Sequence, residues 1–342
     1  MSRSLSASLK LLGLTVVLCC FVYPLFLWMV GQTVFPVQAE GSLVKKADGT
    51  VVGSLLIAQP FTKDEYFQPR PSAVSYNGAG SGATNWSPSN YLLRDRVARA
   101  LGPIVKYQSG RRKGELVAPD VEAWFQQDRF QGQPHIVAQW ADLHGGLAQA
   151  WTKADPGNSD FVDAWAKGHS AKVAQWVKDN PATPEPVAAD LAVVFFDDWS
   201  TVHPGTFPSA VEHATADGKT EKTIEPVKEG SDVQSIFFDM WRQDHPDADL
   251  ENVPADMVMA SGSGLDPHIT LENAQYQLDR VAGAWAKDTR RDPKQVHHEI
   301  EDILHSKAFA PWGGLIGVDM VNVLEVNVEL NKRYGEPGRP SA

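Results

Sequence analysis

Three short stretches of the chain carry residue types and spacings that could do chemistry. Asp217-Gly218-Lys219-Thr220 has the ending of a phosphate-binding loop, but His213 occupies the position of the required first glycine. Gly262-Ser263-Gly264 lacks the residue that a nucleophile elbow needs on each side of its serine. His297-His298 with Glu301 lacks the spacing that places two imidazoles on one helical face around zinc. We therefore predict neither catalytic nor metal-binding residues, and interpret these histidines as residues of an exposed helix surface.

The N-terminal segment determines where any other site can work. Leu11 to Val30 are twenty consecutive residues without a charged side chain. At about 1.5 Å per residue, a helix of that length spans the roughly 30 Å hydrocarbon core of a bilayer. Arg3 and Lys10 precede this stretch and the next basic residue is Lys45, so the positive-inside rule predicts a cytoplasmic N-terminus. The alternative is a signal peptide cleaved after Ala39.

Charge and cysteine content limit the chemistry of the remainder. Beyond residue 30 the chain holds 29 basic and 42 acidic residues, a formal net charge of −13. Such a balance disfavours nucleic acid as a partner. The two cysteines, Cys19 and Cys20, both lie in the apolar stretch, so we expect the outer part to have neither a disulfide nor a thiol nucleophile.

Composition changes along the chain predict its domains. We expect an α+β fold in which a single N-terminal transmembrane helix precedes a mixed α/β extracytoplasmic domain, interrupted by a mainly helical insertion. The predicted boundaries are 1–10 for the cytoplasmic N-terminus, 11–31 for the transmembrane helix, 32–102 for the first part of the outer domain, 103–232 for the insertion, 233–334 for the second part and 335–342 for a disordered tail.

The predicted insertion is rich in tryptophan. It holds six of the eleven: Trp124, Trp140, Trp151, Trp165, Trp176 and Trp199. Val137-Ala138-Gln139-Trp140 recurs as Val173-Ala174-Gln175-Trp176, each in a helix-like stretch. Aromatic residues at such spacing are typical of packed helical hairpins, so we predict an insertion with its own small core. A ligand cage is the alternative.

Local signals predict several elements outside the insertion. Thr270 is placed to cap a helix whose apolar face runs from Leu271 to Trp285, and Asp292-Pro293 is placed to start the next helix. Val258-Met259-Ala260 is predicted to be a short strand. The stretch from Val321 to Val328 fits both a strand and a helix.

Blocks on both sides of the insertion resemble the C subunit of the bacterial Kdp high-affinity potassium-transporting P-type ATPase. The resemblance covers roughly 8–101 and 233–331. The first blocks are Phe35-Pro36, Gly41-Ser42-Leu43, Gly53 to Gln59, Tyr66-Phe67, Arg70 to Ala73, Gly80 to Asn85 and Ser89-Asn90. The later blocks are Ala260 to Ile269, Gln277, Arg280-Val281 and Val321 to Asn327.

The resemblance implies a non-catalytic accessory subunit of the bacterial inner membrane, needed for assembly of the pump. Its partners would be a channel-like potassium-binding subunit and a P-type ATP-hydrolysing subunit, which handle K⁺, Mg²⁺ and ATP, while this chain has no cofactor of its own. The family is also described as a catalytic chaperone that raises the ATP affinity of the hydrolysing subunit. Its serine-glycine loop, here Ser261, Gly262, Ser263 and Gly264, is compared with a nucleotide-binding signature, although the predicted topology places this loop away from cytoplasmic ATP.

Polar residues within these blocks are candidate contacts with other subunits: Arg70, Pro71, Ser72, Asn85, Asn322, Glu325 and Asn327. Two other classes of function remain open from the sequence. The chain could be a membrane-anchored extracytoplasmic enzyme with its active site in the insertion, or a solute-binding module that uses the tryptophans.

Overall fold

The computed structural model describes residues 2–46, 48–214 and 220–338. Asp217 to Lys219 of the phosphate-loop ending, and the last four residues of the predicted tail, lie outside the described residues. The chain divides into two compact units. Unit 1 comprises Met1–Asn85 and Pro254–Ala342, and unit 2 comprises Trp86–Val253.

Helices and short antiparallel strand pairs make up both units. The helices are Ser2–Val17 (α1), Tyr23–Val34 (α2), Pro36–Ala39 (α3), Tyr91–Leu101 (α4), Ala118–Phe125 (α5), Ile136–Leu143 (α6), Gly145–Ala154 (α7), Pro156–Gly168 (α8), Ser170–Asp179 (α9), Ala192–Val202 (α10), Ser231–Asp244 (α11), Ala255–Val258 (α12), Leu271–Thr289 (α13), Pro293–Lys307 (α14) and Val323–Tyr334 (α15). The strands are Leu43–Lys45 (β1), Val51–Ser54 (β2), Arg129–Phe130 (β3), Gln133–Pro134 (β4), Phe207–Ala214 (β5), Thr220–Val227 (β6), His268–Thr270 (β7) and Met320–Asn322 (β8). They pair in order as β1–β2, β3–β4, β5–β6 and β7–β8.

The N-terminal apolar helix is continuous from α1 to α2 through a π-helical turn, Leu18–Val22. The N–H of Tyr23 bonds to the carbonyl of Leu18, five residues back. This wider turn directly precedes Pro24, whose ring would clash with a carbonyl in a regular α-helix and whose nitrogen has no hydrogen to donate. Within the described residues, Ser4–Val34 is the one helix long and apolar enough to cross a bilayer. The expected apolar helix is therefore present, and its orientation stays a prediction.

The apolar core of unit 1 is formed mainly by α13, α14 and α15. Both predicted helix caps are confirmed: the Thr270 hydroxyl accepts from the Asn273 N–H at 3.0 Å, and the Asp292 carboxylate accepts from the Lys294 N–H at 2.7 Å. The stretch from Val321 to Val328, which fitted both a strand and a helix, contains both, because β8 ends at Asn322 and α15 begins at Val323. The Asn322 side chain accepts from the Glu325 N–H and so caps α15.

A charged cluster closes one side of this core. Glu299 of α14 accepts from Arg291 at 2.7 Å, from Arg333 at 3.0 Å and from the Tyr334 hydroxyl at 2.9 Å. The hydrogen bonds from Arg291 and then Arg333 lower the pKa of the Glu299 carboxyl to about 2. The cluster thus joins α14 to the last turn of α15 as long as Glu299 is ionised.

The predicted strand at Val258-Met259-Ala260 is wrong. Val258 ends the short helix α12, which follows Pro254. The helical turn buries Asp256, whose two carboxylate oxygens accept from the N–H and the hydroxyl of Thr270. This pairing holds Asp256 in the helical turn that ends at Val258.

Unit 2 is built around an aromatic core. Trp140 lies edge-on to Phe196, with ring centroids 5.2 Å apart, and to Phe207 at 5.6 Å. The prediction that the six tryptophans are core residues is confirmed. Three are buried, and Trp151, Trp165 and Trp176 are partly buried and pack against the same core.

The prediction that the insertion has its own separate core is wrong. The fully buried Phe237 of α11 lies outside 103–232, yet its ring centroid is 4.4 Å from that of Phe125 and 5.6 Å from that of Phe207. Ala98 of α4 belongs to the same cluster. The apolar faces of α4 and α11 are buried against the tryptophan-rich stretch, so this stretch and its flanking helices share one core. The bounds of the insertion, 103–232, stay a prediction and differ from those of unit 2, Trp86–Val253.

Candidate functional site

The serine-glycine loop, Ser261 to Gly264, lies between α12 and β7 and is held by the segment before unit 2. The Ser72 hydroxyl donates to the Gly264 carbonyl at 2.6 Å. The Gly82 N–H donates to the Ser263 carbonyl at 3.0 Å. Ser72 and Gly82, both far from the loop in sequence, therefore clamp it.

Gly264 is required by its conformation and by its surroundings. Its φ of +69° is in the left-handed region that favours glycine. A Cβ there would lie 2.8 Å from Val74 Cγ2 and 2.9 Å from the Gly82 carbonyl oxygen, closer than such atoms pack. Gly262, by contrast, has open space where a Cβ would stand. The two glycines of the loop thus have different roles.

The backbone donors at the end of the loop are already occupied. The Gly264 N–H bonds to the Ser261 carbonyl at 3.2 Å, and the Leu265 N–H bonds to the Ser263 hydroxyl at 3.1 Å. The Asp266 N–H points to the Ser261 hydroxyl at 3.5 Å. A phosphate cradle needs successive N–H groups free to face the anion. These three do not meet that condition.

The electrostatics beside the loop also disfavour a polyphosphate. A hydrogen bond from His268 lowers the pKa of the Asp266 carboxyl, and the charge of Arg70 adds to this effect. Asp266 is therefore ionised at neutral pH. A carboxylate at this position repels a phosphate group and competes with it for Arg70.

Among the predicted contact residues, Arg70 and Ser72 lie beside the loop. Arg70 Nη1 is 3.7 Å from Asp266 Oδ2, and its Nη2 donates to the Ala260 carbonyl at 3.4 Å. Pro71, between them in the chain, is half-buried, and Asn85 is exposed. The structure thus brings Arg70 and Ser72 together with the serine-glycine loop.

The other three predicted contacts lie on β8 and α15. Asn327 is 1% exposed, and its side chain both accepts from the Phe67 N–H and donates to the Phe67 carbonyl, each at 2.9 Å. Asn322 is also buried, and its amide donates to the Leu55 carbonyl at 2.8 Å. Both asparagines hold unit 1 together. Glu325 keeps a partly exposed side chain, which pairs with Lys307 at 2.8 Å.

Sequence reasoning assigned no role to Gln277 or Arg280, which make a similar long-range connection. The Gln277 amide accepts from the Gln68 N–H at 2.8 Å and donates to the Gln68 carbonyl at 3.1 Å. Arg280 donates to the carbonyls of Asp64 and Tyr66. The available signal was a pair of amide residues, Asn273 and Gln277, four apart on the apolar face of α13. A buried amide side chain needs hydrogen-bond partners, so such a pair indicates that the backbone of a segment outside the helix binds to it.

One cleft in unit 2 is small for a solute. Tyr91, Leu143 and Ile236 are among the residues lining a cleft of about 230 Å³, in which Trp140 forms part of the wall. Pockets for small molecules usually enclose about 300–1,000 Å³. Among the described residues, no group of three or more His, Cys, Asp or Glu side chains is arranged to hold a metal ion.

Comparison with known proteins assigns the chain to a family. The family model described as "K+-transporting ATPase, c chain" matches residues 5–123 and 210–332. A potassium-transporting ATPase KdpC subunit of Parvibaculum lavamentivorans is 48% identical over 152 residues, 44% of this chain and 81% of that protein. One from Staphylococcus haemolyticus is 42% identical over 178 residues, 47% of this chain and 94% of that protein. This chain is longer than these relatives, and the stretch unmatched by the family model, 124–209, lies within unit 2. The resemblance found from the sequence is confirmed, and the chain belongs to the family of the K⁺-transporting ATPase c chain, the KdpC family.

Proposed function

We propose that this chain is the non-catalytic accessory subunit of a potassium-transporting P-type ATPase and that it is needed for assembly of the pump. The observation that carries this proposal is the composition of unit 1. The parts of the two family-matched segments that lie in unit 1, 5–85 and 254–332, fold around a common core and are joined by Asn327 and Phe67. Unit 1, which includes the apolar helix, is therefore built almost entirely from family-matched sequence.

A growth and activity experiment tests the proposal. In cells that depend on this pump, removing the chain should abolish growth at limiting K⁺ and K⁺-stimulated ATP hydrolysis in isolated membranes. Restoring the full chain should restore both. A pump that assembles and retains full activity without the chain would overturn the proposal.

The proposed topology is a single pass through the bacterial inner membrane, with the N-terminus in the cytoplasm and the chain beyond the apolar helix outside. The one-sided basic flank of the apolar helix supports it. The cysteines lie only in the apolar helix, so Cys19→Ala and Cys20→Ala give a background for labelling. A cysteine in place of the exposed Leu143 should react with a membrane-impermeant maleimide added to spheroplasts. Reaction only after lysis would contradict this topology.

We further propose that ATP, Mg²⁺ and K⁺ are handled by the channel-like and ATP-hydrolysing subunits. The occupied N–H groups of Gly264 and Leu265 and the lowered pKa of the neighbouring Asp266 carboxyl support this view. Any effect of this chain on ATP affinity would arise by coupling, which requires different contacts with two states of the pump. Changing Ser261 and Ser263 to alanine should alter assembly or K⁺ affinity before ATP affinity. Micromolar ATP binding by the full chain alone, lost in that double variant, would contradict the proposal.

A further inference from the structure

A loop between α14 and β8 exposes an unusual amount of apolar surface. Residues 308–318 contain no charged side chain. Within this stretch Trp312 is 83% exposed, Leu315 86%, Ile316 70% and Val318 61%. We call residues 309–318 the apolar loop. Contiguous exposed apolar groups of this kind mark interaction sites on soluble domains.

The backbone presents these side chains in a defined way. The base of the loop is closed by two hydrogen bonds between Phe309 and Met320, at 2.9 and 3.0 Å. At the tip, Trp312 has a φ of +52° and Gly313 a φ of +66°. A non-glycine residue in the left-handed region is unfavourable, and such strain is commonly found at binding sites. The loop is thus a projection with a fixed base and an indole at its tip.

The base of the apolar loop lies close to the point where the chain leaves the apolar helix. The Ser42 N–H bonds to the Val37 carbonyl, and the Leu55 N–H bonds to the Ser42 carbonyl. The Asn322 amide then bonds to the Leu55 carbonyl, and Asn322 ends the short strand β8 that begins beside Phe309. Three hydrogen bonds and the three-residue strand β8 therefore link Val37, in the short helix α3 that follows the apolar helix, to the base of the loop. If the helix spans the bilayer, the loop lies near the membrane–water boundary.

We propose that the apolar loop inserts into an apolar recess on the outer face of a membrane-embedded subunit of the same pump. This inference rests on the proposed function. A protein recess fits better than a lipid surface because residues 308–318 supply no basic side chain, and Lys307 is paired with Glu325. The flanking Asp319 is exposed, and the chain beyond residue 30 is strongly acidic. Anionic headgroups would repel such a surface, whereas a recess with a basic rim would attract it.

Co-purification of loop variants tests this inference. The full chain carrying Trp312→Ser and Leu315→Ser is expressed with the other pump subunits and purified by a tag in mild detergent. The matched control carries Leu143→Ser and Val202→Ser, which are 60% and 62% exposed in unit 2. The loop variant should retain about tenfold less of the other subunits, a loss typical of truncating a tryptophan anchor, and the control should retain the wild-type amount.

The outcomes separate this inference from the proposed function. If the wild-type chain retains the other subunits and the loop variant retains them equally well, the loop assignment is overturned and the proposed function stands. If the wild-type chain retains none, the proposed function fails together with the inference. Equal thermal unfolding midpoints for the two variants would show that their difference in retaining the other subunits does not come from unfolding of the loop variant.

A second measurement distinguishes a protein recess from lipid. The full chain with Cys19→Ala, Cys20→Ala and Leu315→Cys carries a fluorophore at position 315. In vesicles containing this chain alone, lipids bearing a quencher should leave the fluorescence unchanged. In vesicles containing the whole pump, the fluorophore should become shielded from aqueous iodide. Quenching by lipid in the chain alone, or no shielding in the pump, would overturn the assignment to a protein recess.

Discussion

Replacing Asn327 with alanine tests whether the two family-matched segments form one unit. The variant removes both hydrogen bonds to Phe67 and leaves the Phe67 N–H and carbonyl buried without their partner. Each unsatisfied buried group costs about 1–3 kcal/mol, so we expect a local destabilisation of about 3 kcal/mol or more. That corresponds to roughly a hundredfold change in the opening equilibrium around Phe67.

Hydrogen exchange on the full chain in detergent measures this change directly, because the Phe67 amide is itself the donor. Exchange in a peptide containing Phe67 should accelerate by about a hundredfold in the Asn327→Ala variant. The matched control is Asn331→Ala, one turn later on α15, which loses a single bond from the Tyr66 hydroxyl. If the Phe67 amide exchanges no faster in Asn327→Ala than in Asn331→Ala, Asn327 does not join the two segments.

Three further predictions concern the serine-glycine loop, the charged cluster around Glu299 and the shared core of unit 2. Gly264→Ala should destabilise unit 1 by about 1–3 kcal/mol through its left-handed φ and close contacts, whereas Gly262→Ala should have little effect; equal unfolding midpoints would contradict this. The pKa of Glu299 is lowered to about 2, so its contribution to stability is present above the unfolded pKa of about 4.3 and is lost as pH falls toward 2. In the Glu299→Gln variant, the free energy of unfolding should therefore fall less steeply over that pH range than in the wild type, as measured by urea unfolding at several pH values. The same pH dependence in both proteins would be inconsistent with the ion pairs. Deleting 103–232 should expose the ring of Phe237 and cause binding of a hydrophobic dye; a deletion variant that binds no more dye than the full chain would show that α4 and α11 pack without the tryptophan-rich stretch.

Elements with local signals were predictable from the sequence. Thr270 and Asp292 cap α13 and α14 because a short polar side chain satisfies the free N–H groups of the helix start within three residues. The start of α4 is equally local, since the Asn90 side chain caps it by accepting from the Leu92 N–H. In each of these cases the interactions that decide the structure lie within one or two turns of the chain.

Elements decided by distant contacts were not predictable. Val258 to Ala260 has strand-like residues, but Val258 belongs to the helical turn that contains Asp256. The Asp256 carboxylate accepts from Thr270, fourteen residues away. The shared core of unit 2 depends on Phe237 meeting Phe125 and Phe207, which no local pattern reveals. The serine-glycine loop was found by resemblance, but its clamp by Ser72 and Gly82 required the folded chain.

The most direct test of the central claim is the composition of the complex that forms around this chain. The full chain is tagged at its C-terminus, expressed with the other pump genes, purified from membranes in mild detergent and analysed by quantitative mass spectrometry. The proposed function predicts that the channel-like and ATP-hydrolysing subunits are recovered with it in a constant ratio through gel filtration. Recovery of this chain alone, from membranes in which both other subunits are present and associated with each other, would contradict it.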